Sequence, residues 1–402
     1  MASPFKAINW KIMIPVMLFA VFNSAFNSFS SVLADISARF PEAPATTIQM
    51  IITFPSVMGI PVSLLAGILA SYITKKRLVI FALCSQFIGG MLPFFSHDSI
   101  YTLFISCGFI GIGQGFLISC SSAILAENFE GTTRGTAMGL QQVAGSLGIM
   151  GLTIITGRLS TIAWYKAYYV YLLTLLIITL TLVFLPRGKT DDKLIGKGVG
   201  ASGFKAIFNP NSVYFFILFF FLAACQFAFY TNIGMSVTTK GLGNASAIGV
   251  ATAWNPLATV TIGFLYGFIL RIFKKYTLMT AMIAMSIAFI ILTVAPSLSI
   301  IAFGGIIFGV GSGLQQATSL YYVTEAAPAT ASALTISIAL MMISLGVTLS
   351  PVVINGITRI AGREVNGTSG LAVAAAGYGI FFLIELVRER FFNRDSRIGV
   401  EN

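Results

Sequence analysis

The sequence predicts an all-α, polytopic membrane protein with twelve transmembrane helices in two pseudo-symmetric six-helix bundles. Three observations carry that expectation. Mean hydropathy is +0.90, and only 9% of the 402 residues are charged, against about 25% in a soluble domain. The charges also leave long gaps, at 12–34, 43–74, 78–97, 99–126, 135–157, 167–186, 206–239, 241–270, 276–324, 326–358 and 365–384. Each gap holds a helix of about 20 residues, enough to cross hydrocarbon, and Pro296 with its neighbouring serines divides 276–324 into two. The third observation is an internal repeat. Gly111-Ile-Gly-Gln-Gly115, leading to Glu127, returns 198 positions later as Gly309-Val-Gly-Ser-Gly313, leading to Glu325. A chain that matches itself at nearly half its length is read as duplicated.

A β-barrel would need strands of about 10 residues with alternating polarity, and runs such as Phe215 to Cys225 do not alternate. Helices satisfy their backbone groups within each span. The expected division is a first bundle over 1–186, a polar linker rich in Gly and Lys over 187–211, and a second bundle with a short charged tail over 212–402. With the N-terminus cytoplasmic, 18 of the 24 Lys and Arg residues fall on the cytoplasmic side and 6 outside. That bias is the positive-inside signature, and it predicts a plasma-membrane protein with both termini cytoplasmic. The net charge of +11 therefore reads as orientation rather than as a nucleic-acid surface. All four cysteines fall inside spans, so no disulfide framework is expected.

Taken in order, span 1 carries Asn23 and Asn27, four residues apart and hence on one helix face. Amides in lipid are costly, so this face should point into the bundle as helix-to-helix contact or as solute contact. Asp35 closes the span at the outer mouth. Span 2 contains Pro55 and Pro61, which predict bends, and then runs through Gly67 into the basic cluster Lys75, Lys76 and Arg77. Span 4 is the glycine-rich helix of the repeat, whose missing side chains let a neighbour approach closely. Glu127 lies at its end, followed by Arg134-Gly135. Span 5 offers Gln141 and Gln142. Span 7 is strongly aromatic, with Gln226 and Tyr230 sharing a face and Asn232 beyond them. Span 8 holds Trp254-Asn255-Pro256, a predicted bend, and then Arg271, Lys274 and Lys275. Span 10 adds Gln315 and Gln316 after its glycines, and span 11 has Pro351 and Asn355.

The segment from Gly67 to Arg77 resembles the loop between helices 2 and 3 of the major facilitator superfamily, whose pattern is Gly-x-x-x-Asp-Arg-x-Gly-Arg-Arg/Lys. Gly67 and the basic cluster fit, whereas Ser71, Tyr72 and Thr74 stand where the family has Asp, Arg and Gly. A weaker echo runs from Gly267 through Arg271 to Lys274 and Lys275. The whole chain is similar to bacterial sugar-efflux and multidrug-efflux permeases of the twelve-helix drug:proton antiporter group. It lacks that group's Gly-Pro-x-x-Gly-Gly in span 5, and Cys107 stands where such proteins often carry Arg. The resemblance implies a cytoplasmic gate in which Glu127 meets Lys75, Lys76 or Arg77, with Arg134 nearby. It also implies that Glu325 finds its partner among Arg271, Lys274 and Lys275.

Chemistry that is missing narrows the function. The chain has one histidine, His97, no metal-ligand spacing, and no glycine-rich loop with a Lys-Ser/Thr to hold a nucleotide phosphate. No span carries a mid-depth charge, so neither an enzyme, nor a cofactor, nor a metal is expected. The expected function is secondary transport by alternating access of a small neutral or amphipathic solute, read as efflux. An uptake carrier or facilitator for a neutral nutrient is the alternative, and a non-transporting sensor or scaffold on the same fold is the second alternative. The cavity should be lined by Asn23, Asn27, Gln141, Gln226, Tyr230, Trp254, Asn255 and Gln315. Beyond solute and bilayer, the proton is a possible coupling ion, with Asp35 as its carrier. A monomer is expected.

Overall fold

The computed structural model describes residues 8–23, 25–70, 72–186, 210–326 and 332–391. The described chain is almost entirely helical. Helix α1 (Trp10–Asn23) gives way to a 3-10 stretch, Ala25–Ser31, across a bend of 40° and is followed by α2 (Leu33–Arg39). The uninterrupted first span expected from the charge-free interval is thus broken. Serines explain the break: Ser28 Oγ donates to the Ala25 carbonyl (2.6 Å) and Ser31 Oγ to the Ser28 carbonyl (3.2 Å). Such local side-chain bonds compete with the α-helical ladder and favour the tighter turn.

The first half continues with α3 (Ala45–Leu69), α4 (Lys75–Phe95), α5 (Ile100–Asn128) and α6 (Gly131–Ser160). A 3-10 stretch, Trp164–Leu172, then leads into α7 (Leu173–Phe184). Helix α3 runs through Pro55 and Pro61 without a break. The second half comprises α8 (Pro210–Thr239), α9 (Ala245–Thr252), α10 (Trp254–Phe273), α11 (Thr277–Val294), α12 (Leu298–Ala326), α13 (Ser332–Ile360) and α14 (Gly367–Phe391). The division at Pro296 falls where the sequence put it. The break between α9 and α10 also has a sequence cause. Pro256 has no N–H for the Thr252 carbonyl four residues back. Among the described residues, eleven helical stretches are long and apolar enough to cross a membrane, and the bent pair at the start would make a twelfth. The expected linker 187–211 lies, apart from its last two residues, outside the described residues.

Two large apolar cores form, beside a small cluster of Ile262, Ala281 and Leu314. One gathers residues from Ile8 to Leu185 and takes in Phe227; the other runs from Phe215 to Tyr378. The glycine repeat accounts for their likeness. A methyl group on Gly111 would meet the Pro55 backbone and Met58 of α3, and one on Gly115 would lie 2.6 Å from the Gly59 carbonyl. In the second half, Gly309 packs in the same way on Asn255 and Ala258, and Gly313 on the Thr259 carbonyl of α10 at 3.0 Å. The middle glycine of each triplet faces the other neighbour: Gly113 packs on Gln86 of α4 and Gly311 on Met285 of α11. The repeat is a pair of three-helix contacts, made twice with the same small residues in the same roles. None of the four cysteines is joined in a disulfide.

Candidate functional site

A cavity lies between the two halves, at the level where α1, α6, α8, α10 and α12 face one another. It has a polar lobe of about 190 Å³ and an adjoining lobe of about 430 Å³. Asn23, Asn27, Gln141, Gln142 and Ser121 supply the polar lobe from the first half. Gln226, Tyr230, Asn255, Thr259 and Gln316 face them from the second. None of the described residues lining either lobe is charged. A third compartment continues between α6 and α10, from Gln142 and Ser146 to Gly263 and Phe264.

The two walls differ in how their polar groups are used. On the second-half wall, Asn255 Nδ2 donates to the Tyr230 hydroxyl (3.2 Å) and Gln315 Nε2 donates to Gln226 Oε1 (3.1 Å). The Tyr378 hydroxyl donates to Gln315 Oε1 at 2.7 Å. Thr259 bridges to Ser312 at 3.1 Å. These groups hold one another in place. Asn23, Asn27, Gln141 and Gln142 of the first half, and Gln316 of the second, have no hydrogen-bond partner among the described residues. The Oδ1 atoms of Asn23 and Asn27 are shut away from solvent as well. A buried polar atom without a partner costs about 1–3 kcal/mol, a cost that falls on those two atoms, while the exposed amides of Gln142 and Gln316 are open to a guest or to water.

Seven of the eight residues expected in the cavity line it. Trp254 does not; it is 45% exposed. Helical spacing accounts for this, because Asn255 and Thr259 share the inward stripe and Trp254 lies one residue off it. Sequence reading missed Tyr378, Thr259 and Ser312. Tyr378 sits on a helix with no other polar signal nearby, and only the fold brings it beneath Gln315.

One end of the cavity is shut. Gln49 Nε2 of α3 donates to Asn232 Oδ1 of α8 at 2.8 Å, and Asn355 Nδ2 of α13 donates to Gln49 Oε1 at 2.6 Å. Asn355 also donates to Thr46 Oγ1 at 2.9 Å. All three amides are buried, at 0%, 0% and 2% exposure for Gln49, Asn232 and Asn355. Among the described residues, the hydrogen bonds that join the two halves all belong to this cluster and Met235 beside it. At the same end α6 meets α9 closely: a methyl on Gly157 or Gly249 would lie 2.7 Å from the Ala245 or Thr153 carbonyl.

The other end is splayed. Gly139 of α6 and Gly263 of α10, further along the same two helices, face open space, as do Gly67 and Gly267. Of the residues expected to form a gate here, Lys75 is buried and ion-paired with Glu127. Both belong to the first half, so the pair spans α4 and α5 and does not bridge the halves. Lys76 Nζ donates to the Leu182 and Leu185 carbonyls at the end of α7 (2.8 and 2.6 Å). Arg77, Arg134, Arg271 and Lys274 are exposed. Lys274 ends α10 with a φ of 47°. The side chains of Lys275 and Glu325 lie outside the described residues. Asp35 sits in α2 at the shut end, half-buried. Burial raises its carboxyl above the usual range, and a hydrogen bond with Ser160 partly offsets that.

Known proteins resemble this chain in both sequence and fold. Residues 7–245 match the Major Facilitator Superfamily. The nitrite extrusion protein of Bacillus subtilis (strain 168) is 23% identical over 284 residues, covering 67% of this chain and 68% of that protein. A crystal structure of a mutant of the nucleoside transporter NupG superposes with a TM-score of 0.80 at 11% identity, over 94% of this chain and 99% of that one. The POT family transporter PepTSo gives 0.68 at 13% identity, over 95% and 98%. At such identities the structural matches show the fold alone. Two pseudo-symmetric helical halves around an uncharged cavity, shut at one end and splayed at the other, complete what the family match begins: the chain belongs to the Major Facilitator Superfamily.

Proposed function

We propose that the protein is a secondary carrier for a small neutral or amphipathic solute, working by alternating access across the plasma membrane in the direction of efflux. The observation that carries this reading is the amide-lined cavity between the halves, which holds no charged side chain and has one shut and one splayed end. A carrier of this build binds near the midplane and rocks its two halves around the site. By the distribution of Lys and Arg, the splayed end is cytoplasmic and the solute enters from the cell. Asn23, Asn27, Gln141 and Gln142 contact the solute, and the ordered wall of Gln226, Tyr230, Asn255 and Gln315 shapes it. Gly67, the Lys75–Arg77 cluster and Glu127 border the cytoplasmic opening, opposite Arg271 and Lys274.

The nitrite extrusion relative raises the question of an anion. A buried anion needs a counter-charge, because unpaired burial is expensive. Among the described residues no Lys or Arg lines the cavity, so the likeness is read as one of fold and class. Asp35 is the proposed proton site, since its carboxyl is half-buried while the outer end is shut. The carrier acts as a monomer. Purified protein in liposomes tests the reading: solute counterflow should occur for neutral compounds and fail for nitrite. Nitrite exchange that outpaces every neutral solute would refute it, and exchange only in the inward direction would favour the uptake alternative.

A further inference from the structure

The two lobes of the cavity have opposite character, and they share residues. Asn27, Gln142, Gln226, Tyr230 and Gln316 border both, so a single guest can occupy the two at once. The smaller lobe presents the unpartnered amides. A primary amide offers both a donor and an acceptor and can turn over by 180°. Several on one wall therefore suit a head that carries mixed donors and acceptors without charge. The larger lobe is bounded by Phe219, Ala223, Phe227, Ala339, Ile343 and Val347, from α8 and α13. Those side chains make no demand except for apolar surface.

We infer that the solute is an uncharged amphipath bound in a fixed orientation. Its hydroxyl- or amide-bearing head lies against Asn23, Asn27 and Gln142, and its aliphatic or aryl tail lies between α8 and α13. This inference rests on the carrier reading and narrows its substrate class. Head and tail make separate contributions. The amides select against charge, because neither a carboxylate nor an ammonium would find a counter-ion. The tail adds affinity in proportion to the apolar area it removes from water. A solute with the head alone leaves the larger lobe wet, and one with the tail alone leaves the amides unsatisfied.

Phenyl β-glucoside, glucose and phenyl β-glucuronide make a suitable probe set, being head with tail, head alone, and the same molecule with a carboxylate. Their dissociation constants come from the concentration dependence of the thermal midpoint of the full chain in lipid nanodiscs. Phenyl β-glucoside should bind at least about tenfold more tightly than glucose, and the glucuronide should bind more weakly than either. Ala339→Phe, which fills the apolar lobe, should collapse the glucoside-to-glucose ratio towards one. Val347→Thr keeps the shape and should lower the same ratio, which covers the case in which the larger substitution fails to fold. Equal affinities for glucoside and glucose, tightest binding of the glucuronide, or no binding of either neutral probe would overturn the inference. Counterflow of phenyl β-glucoside in liposomes separates the two levels. Tail-dependent binding without exchange refutes the carrier and leaves the two-lobed site standing. Exchange without tail dependence does the reverse.

Discussion

Gln49→Ala should open the shut end. Gln49 is the hub of that cluster, donating to Asn232 and accepting from Asn355 across the line between the halves. Two neutral hydrogen bonds are lost, each worth about 1 kcal/mol net. That sum, about 2 kcal/mol, changes the ratio of open to shut by about 30-fold. Asn232 Oδ1 then loses its donor while still buried, whereas Asn355 keeps Thr46. Counting that orphaned acceptor raises the cost to about 4 kcal/mol and the shift to roughly 1000-fold. None of these penalties applies once the end is open, because water then reaches the amides. Thiol accessibility reads the shift directly. Ser30 is 2% exposed, and its carbonyl backs onto Gly234 of the opposite half. A cysteine at Ser30, with Cys84 changed to Ala, should react with a water-soluble maleimide in proportion to the open population. The rate should rise at least about 30-fold in Gln49→Ala. A rise of less than about threefold would mean that these bonds do not hold the end shut, and the reasoning would fail.

Other expectations concern charge and packing. With this end shut, burial raises the Asp35 carboxyl; hydration on opening should lower it, so the shut state is expected to bind the extra proton. It is therefore favoured at low pH and loses that advantage as pH rises through the raised value. Asp35→Asn should leave Ser30 accessibility flat between about pH 5 and 8, whereas a slope equal to wild type would clear Asp35 of any coupling role. Glu127→Gln should lower the thermal midpoint, since a buried Lys75 loses its carboxylate partner; Glu127 is 42% exposed on its side chain, so the cost is about 1–2 kcal/mol rather than that of a dry pair. It should leave Ser30 accessibility unchanged, because the pair lies inside one half. Gly113→Val should prevent accumulation of folded protein, since its side chain would enter Gln86 and the Ala82 carbonyl; normal yield on size-exclusion chromatography would contradict the packing account. Asn27→Ala should raise KM for exchange of a neutral solute several-fold with little change in maximal rate, as expected when an interaction serves binding alone.

Much of this was legible in the residues. Spans follow from charge-free intervals because hydrocarbon excludes charge whatever the tertiary contacts. The glycine repeat was legible too, because only a side chain of hydrogen permits the backbone approaches made at Gly115 and Gly313. Amides inside apolar spans pointed to the cavity. The sequence could not say which of them would be free. Gln226 and Asn27 look alike in one dimension, yet Gln226 is engaged by Gln315, and Asn27 has no partner among the described residues. Gln49 was missed because a single amide near the start of a span gives no periodic signal, and its partners are 183 and 306 residues away. The break in the first span was hidden for another reason. Its serines read as ordinary small residues until their hydroxyls are seen to bond backwards. The expectation that Glu127 works as a latch came from resemblance, and the fold places both partners on one side of the moving interface.

That placement bears on how such a protein can switch at all. The ion pairs seen among the described residues, Lys75–Glu127, Arg39–Asp98 and Arg388–Glu385, each stay within one half. The hydrogen bonds between the halves join neutral amides, a hydroxyl and a thioether. Alternating access needs two states within a few kcal/mol, because a solute shifts their ratio only by its difference in affinity for them. Breaking a buried ion pair costs about 3–5 kcal/mol, and one such pair between the halves would hold the carrier in a single state. Three amide contacts at about 1 kcal/mol each lie within the reach of a bound guest. Replacing Gln49 with Glu and Asn232 with Lys should therefore do the opposite of Gln49→Ala. With the shut end locked by charge, binding measured in nanodiscs should survive while counterflow in liposomes stops. Counterflow at the wild-type rate in that double variant would show that the cluster is not part of the moving interface.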